Sequence, residues 1–359
     1  MSRRVTIADV AVRAGVHKAT VSRALNKMTE HQVNPATARR VRKAAEELGY
    51  VANAVARGLR TNSSMTVGVI IPDLTNPLFP PMVRGIEHYL APHGYTALIA
   101  NTDGDDDLER AAFDSLSGRR VDGFIIATGR MHHELIADAY HRGVHVVMLN
   151  RGSVDVPYPL VTGDDAAGVT AAVEHLVELG HRDLVHLAGP ENFTTSAVRQ
   201  DAFLAAVRRH ADVAGRLVPA PALTIRAGLE CMNDMLLHGD APTAIVAGND
   251  LLAVGILRSL RQHGLHCPDD VSVIGFNDMD STEDLNPPLT TVRVPHFEMG
   301  TEAARLLIDD LAADRQRSVT VSLPASLVVR ESTAAPRAGA LASADTFQAR
   351  IESGLSMRR

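Results

Sequence analysis

The chain has 359 residues, is 45% hydrophobic, and holds two cysteines and three lysines at a formal net charge of −6. That is more than one typical domain, with material for more than one core. No stretch approaches the roughly 20 uninterrupted apolar residues of a membrane span, and the N-terminus has no apolar signal core, so a protein that stays inside the cell is expected. Cys231 and Cys267 are too few for a disulfide framework or a four-thiolate zinc site and read as buried thiols in a reducing compartment. Lys18, Lys27 and Lys43 all lie near the N-terminus, which excludes a Walker phosphate loop or a Schiff-base lysine in the main body. The sequence also has no Gly-x-Ser-x-Gly elbow, no His-Glu-x-x-His and no Gly-x-Gly-x-x-Gly after a strand. No enzymatic activity, cofactor or metal is expected.

Charge divides the chain. Residues 1–62 carry 12 basic against four acidic side chains, a net +8, while the remainder carries 24 against 38, a net −14. A basic head on an acidic body implies a small nucleic-acid-binding module ahead of a body with another task.

Taken in chain order, residues 6–26 read as two short helices. Thr6 caps the first, with Asp9 three residues on and Ile7, Val10 and Ala11 as the inner stripe. Gly15 breaks it. The second starts near Lys18, placing Val21 and Leu25 inward and Lys18, Ala19, Ser22 and Arg23 outward. This is helix-turn-helix geometry. A third helix, capped by Asn34 with Pro35 at its first position, runs to about Leu48 and ends at Gly49.

From Val67 the texture changes to continuous apolar runs separated by amphipathic helices. The runs lie at 67–71, 97–100, 123–127, 144–149, 184–188, 244–247 and 271–276. Such runs mean parallel sheets covered on both faces, whose ligands sit at the carboxyl ends of the strands. Those ends carry Asp73 and Asn76, Asn101 and Asp103, Asn150 and Arg151, Glu191 and Asn192, Asn249 and Asp250, and Asn277 and Asp278. His132-His133-Glu134 is the one cluster with metal-binding residue types, and it lacks further ligands at a recognisable spacing. The segment from Ala334 is rich in Ala, Ser, Gly and Arg and is expected to be disordered, with Phe347, Ile351 and Leu355 at a four-residue spacing.

Over residues 5–333 the chain resembles a transcription regulator of the lactose-repressor (LacI/GalR) family. The markers are Asp-Val-Ala-Val-Arg-Ala-Gly-Val at 9–16, Ala-Thr-Val-Ser-Arg-Ala-Leu-Asn at 19–26, Ala-Ala-Glu-Glu-Leu-Gly-Tyr at 44–50, and Ile-Pro-Asp-Leu-Thr-Asn-Pro at 71–77. Further along come Val-Asp-Gly-Phe at 121–124, Gly-Asn-Asp at 248–250, Val-Ile-Gly-Phe-Asn-Asp at 273–278 and Pro-Pro-Leu-Thr-Thr at 287–291. The resemblance implies an all-α helix-turn-helix headpiece followed by an α/β two-lobed body like a periplasmic binding protein, with two Rossmann-like parallel-sheet lobes. It divides the chain into a headpiece (1–51), a hinge helix and linker (52–63), a first lobe (64–163 plus 294–323), a second lobe (164–293 plus 324–333) and a tail (334–359). The implied function is a repressor that binds a pseudo-palindromic operator as a homodimer and responds to a small metabolite in the interlobe cleft. A cytoplasmic, nucleoid-associated place follows.

Carried over residue by residue, the resemblance puts Lys18, Ala19, Thr20, Ser22 and Arg23 in the major groove. Arg23 is the direct base reader, since a guanidinium can bridge O6 and N7 of guanine; Lys18 suits either a base or a phosphate. Thr6, Asn26 and Thr37 match phosphate contacts. In the hinge, Asn53, Ala56 and Leu59 face the minor groove, with Leu59 as the wedge. Two hinge positions depart from the pattern: Ala52 stands where proline is usual, and Gly58 where a better helix former is common, which costs a helix about 1 kcal/mol.

Effector contacts implied in the same way are Asn76, Phe79, Asn150, Arg199, Asn249 and Asn277. Leu223 occupies the place where a ring is often supplied, Val294 replaces a common glutamine, and Asn150 and Asn277 stand where aspartates are frequent. The expectation is therefore a carboxylate-bearing or less hydroxylated metabolite held by Arg199, Asn249 and Asn277, with a sugar bound through other polar groups as the alternative. A sugar-active enzyme with an accessory DNA-binding head would need a catalytic pair the sequence does not present. A transport binding protein would need a signal peptide and leaves the basic head unexplained.

Overall fold

The computed structural model describes residues 5–25, 29–50, 63–240 and 242–337, in two units that divide between Ser64 and Met65. In the first unit, helices α1 (Ile7–Ala14), α2 (Lys18–Ala24) and α3 (Pro35–Glu47) enclose a core of small residues. Val10, Val21 and Val41 are fully buried there, with Ala11, Ala14, Ala24, Ala38, Ala44 and Ala45 between them. The caps are local. Thr6 and Asp9 form a reciprocal capping box, Asn34 caps α3 with Pro35 behind it, and α1 ends on Gly15 at φ 64°, a left-handed turn that glycine adopts without steric cost.

The second unit contains two six-stranded sheets. The first lobe is built from β1 (Thr66–Ile71), α4 (Phe79–Leu90), β2 (Thr96–Asn101), α5 (Asp106–Gly118), β3 (Gly123–Ile126), α6 (Glu134–His141), β4 (Val146–Leu149) and β5 (Leu160–Gly163). The chain then builds α7 (Asp165–Glu178), β6 (Asp183–Ala188), α8 (Thr194–Val207), β7 (Ala214–Pro219), α9 (Ile225–Leu237), β8 (Ala244–Ala247), α10 (Asp250–Gln262), β9 (Ser272–Asn277) and β10 (Thr290–Arg293). It returns through α11 (His296–Ala313) and β11 (Thr320–Leu323) to the first sheet and ends with β12 (Ser326–Val328) in the second. The strand orders are β11-β5-β4-β3-β1-β2 and β12-β10-β9-β8-β6-β7. Three passages between the sheets follow, after β5, β10 and β11.

Central strands are buried on both faces: Val69, Ile70, Ile125, Ile126, Val185, Ile245, Val246 and Ile274 expose 1% or less. Burying each such side chain contributes about 1.5–3 kcal/mol. The expected parallel pairing holds throughout the first sheet, while β12 runs antiparallel to β10 at the edge of the second.

Each lobe also contains two helices in backbone contact. A Cβ added to Gly85 of α4 would collide with the Phe297 carbonyl oxygen of α11, and one on Gly300 with that of Met82. In the second lobe, Gly228 and Gly255 bring α9 and α10 together in the same way, against the carbonyl oxygens of Leu252 and Ile225.

The tail starts later than its composition implies. The Ala334 N–H donates to the Ser272 hydroxyl at 3.1 Å, its carbonyl accepts from that hydroxyl and lies 2.9 Å from Nε2 of His181, and Arg337 pairs with Asp269 at 2.9 Å. Backbone hydrogen bonds to a buried Ser–His pair hold these residues where side-chain composition gives no signal. Phe347, Ile351 and Leu355 lie outside the described residues.

Candidate functional site

On the first unit, α2 turns Val21 and Ala24 inward and exposes Lys18, Ala19 and Arg23, with Thr20 and Ser22 half-buried beside them. Its N-terminus is held by a cap the sequence reading missed: Nδ1 of His17 accepts the Ala19 N–H at 3.2 Å. Several basic side chains are tied internally. Arg13 pairs with Glu47 at 2.7 Å, Arg42 with Glu30, and Arg40 donates to the Ala14 carbonyl at 2.9 Å. Lys18, Arg23, Arg39 and Lys43 form no ion pair among the described residues, so their charges are available to a partner.

Thr6 has a structural duty as well as its expected phosphate contact. Its hydroxyl donates to the Asp9 carboxylate at 2.7 Å and its N–H to the same oxygen at 2.8 Å. To donate to a phosphate it would have to release Asp9. Thr37 is half-buried on the first turn of α3. Asn26, Asn53, Ala56 and Leu59, and with them the hinge and its departures at Ala52 and Gly58, lie outside the described residues.

In the second unit, five of the six expected effector residues line one narrow space at the carboxyl ends of the strands: Asn76, Asn150, Arg199, Asn249 and Asn277. Leu78, Arg151, Thr195 and Leu223 complete its walls. Phe79 does not. Its ring is 1% exposed in the hydrophobic core, because the first residue of α4 faces the sheet, and Leu78 takes its place at the chamber.

The amides differ in what they have left to offer. Asn249 caps α10, its Oδ1 accepting the Leu252 N–H at 2.9 Å and its Nδ2 donating one hydrogen to the Leu223 carbonyl at 3.3 Å. Asn76 accepts the Leu78 N–H through Oδ1. Asn150 and Asn277 make no side-chain hydrogen bond among the described residues, and both hold positive φ, 68° and 116°. Such backbone strain concentrates where side chains must be aimed at a ligand.

Arg199 is buried, and its charge is already met. Nε lies 3.0 Å from Asp165 Oδ2, a terminal nitrogen donates to the Gly248 carbonyl at 2.6 Å, and the guanidinium carbon sits 3.8 Å from the centre of the Phe276 ring. Although asparagines stand at 150 and 277, Asp165, 34 residues upstream of Arg199, supplies it with a carboxylate. Burial pushes the Asp165 carboxyl above its usual range, and Arg199 pulls it back.

Arg151, which sequence reasoning placed at a strand end without giving it a role, is the second guanidinium in the chamber. It is 8% exposed, and its carbon lies 3.7 Å from the centre of the Phe193 ring. The signal for it was its position directly after Asn150 at the end of an apolar run.

His132 and His133 diverge. His132 is exposed and meets Asp155 at 2.9 Å, whereas His133 is buried with Nε2 3.4 Å from Glu109. Among the described residues, no group of three or more His, Cys, Asp or Glu side chains is placed to hold a metal ion, and no helix is long and apolar enough to cross a membrane.

Residues 6–53 match the model for bacterial regulatory proteins of the lacI family, and residues 173–333 the model for a periplasmic binding protein-like domain. The HTH-type transcriptional repressor CytR of Escherichia coli (strain K12) is 34% identical over 331 residues, 92% of this chain and 96% of that protein. The ribose operon repressor of the same organism is 31% identical over 334 residues, 91% of this chain and 99% of that protein. Among solved structures, the Lac repressor dimer bound to operator and the anti-inducer ONPF superposes with a TM-score of 0.82 at 28% identity, covering 93% of this chain and all of that one.

Proposed function

The chain belongs to the lacI family of bacterial regulatory proteins, and we propose how its two units divide a repressor's work. It is a DNA-binding transcriptional repressor that acts as a homodimer on operator DNA and answers to a small-molecule effector. Its place is the bacterial cytoplasm, on the nucleoid.

In this reading α2 enters the major groove. Arg23 takes a guanine edge, Lys18, Ala19, Thr20 and Ser22 line the same face, and Thr6, Asn26 and Thr37 fix the register on phosphates. Asn53, Ala56 and Leu59 engage the minor groove. One observation supports this most directly: Lys18 and Arg23 stand exposed and free of ion pairs among the described residues, on a helix whose other face is locked into the core.

The chamber between the sheets holds the effector, a sugar or a carboxylate-bearing metabolite, through Asn76, Asn150, Asn277 and Arg199, with Asn249 shaping the wall. The lobe boundaries 64–163 plus 294–323 and 164–293 plus 324–333 place these residues on both sides of it.

Fluorescence anisotropy with a pseudo-palindromic duplex tests the assignment. Affinity should fall about 10³- to 10⁵-fold between 50 and 200 mM salt as counterions are released. Salt-insensitive binding, or none to any fragment of the source genome, removes the DNA-binding reading.

A further inference from the structure

The chamber's charge does not balance. Two guanidinium groups, Arg151 and Arg199, line it, and the single carboxylate Asp165 forms its ion pair with Arg199, its charge reaching Arg151 only at longer range. Arg151 has no ion pair among the described residues, and its Nε is buried without a hydrogen-bond partner. Removing a cation from water without a counter-charge is costly. Burial first, and then repulsion from Arg199, lowers its pKa to about 9, so it remains cationic at neutral pH. Arg130, whose charge also acts on Arg151, is already committed to Asp106. Arg151 also lines a second space, together with Arg130, Asp105, Asp106 and Asp107.

We propose that the effector carries one negative charge, a carboxylate, and that Arg151 rather than Arg199 is the residue that binds it. This rests on the reading of the chamber as the effector site and names the class of ligand it takes. One unmatched positive charge calls for a monoanion. A planar carboxylate fits the two parallel N–H groups of a guanidinium, and stacking on Phe193 fixes the plane in which they point. A dianion such as phosphate would bring a second charge with no partner. Asn150 and Asn277, whose amides are uncommitted, take the ligand's neutral polar groups.

The test is thermal unfolding of the full chain in sodium acetate and in acetamide, its neutral counterpart of the same shape, with sodium chloride balancing ionic strength. Acetate should raise Tm saturably and acetamide should not, because only a ligand bound by the folded form stabilises it. Arg151→Met should weaken the acetate response about tenfold or more, and Arg151→Gln, which keeps length and polarity but not charge, should do the same if the first variant fails to fold. No saturable response to acetate, an equal response to acetamide, or a response retained without Arg151 overturns the proposal. Inorganic phosphate binding more tightly than acetate, by an effect that requires Arg151, overturns the single-charge assignment. Operator binding by the wild-type chain is measured on the same preparation. Binding without an acetate response leaves the repressor reading standing and removes this inference, whereas absent operator binding strikes the repressor reading and leaves the acetate result to decide Arg151.

Discussion

Asp165 and Arg199 form an ion pair at 3.0 Å in which neither side chain is more than 8% exposed. Removing one partner strands the other. Arg199→Met should therefore destabilise the body by about 3–5 kcal/mol, and the double variant with Asp165→Asn should recover part of that loss. A denaturant double-mutant cycle measures it, and additive losses would show that the pair is not coupled. Loss of ligand binding in an Arg199 variant thus reports on contact only when the double variant is compared.

Two buried groups in the second lobe pull stability in opposite directions with pH. Burial raises the pKa of Asp250, which accepts the Thr291 hydroxyl at 2.6 Å, to about 6. Its contribution is full below the unfolded value of about 3.9 and is lost as pH rises through 6. His186 is lowered by burial to about 4; its contribution is full above the unfolded value of about 6.5 and is lost as pH falls toward 4. Melting temperatures of Asp250→Asn and His186→Gln against the wild type should diverge with opposite slopes between about pH 4 and 6.5. Parallel profiles would show that neither group titrates there.

Arg23→Ala should flatten discrimination at one position in each operator half-site by about 1–3 kcal/mol. Competition binding with single-base variants of the duplex checks it. Uniform weakening across all bases would reassign Arg23 to the phosphates.

Thr6→Ala removes one arm of the capping box and should cost the first unit about 1 kcal/mol. Circular dichroism of the headpiece melt reports the loss. An unchanged melt with reduced operator affinity would mean that Thr6 acts on DNA alone.

Much of this architecture is legible before any coordinates. The headpiece is written in local chemistry, Thr6 with Asp9, Gly15, and Asn34 before Pro35, and each acts within a few residues of itself. The buried strands announce themselves as apolar runs. β7, half-exposed along much of its length at a sheet edge, and the four-residue β5, β10 and β11 give no such run and escape notice. Asn76, Asn150, Asn249 and Asn277 stand out as polar residues at strand ends, but their role as effector contacts, and Arg199 on its helix, came from the family resemblance. Phe79 was misplaced because a ring at a helix start can face either the cleft or the core, and packing decides. The partnership of Asp165 with Arg199 is tertiary, so the conclusion that Arg151 is the unmatched charge needed the folded chain.

The paired glycines set how the lobes respond to force. At Gly85 and Gly300, α4 and α11 meet backbone to backbone, so sliding one past the other at that crossing means collision. α4 begins three residues after Asn76, whose Oδ1 already grips the Leu78 N–H. α9 and α10 lock likewise beside Asn249. Compliance is left to the three interlobe passages, which makes each lobe a stiff jaw and those strands its axle.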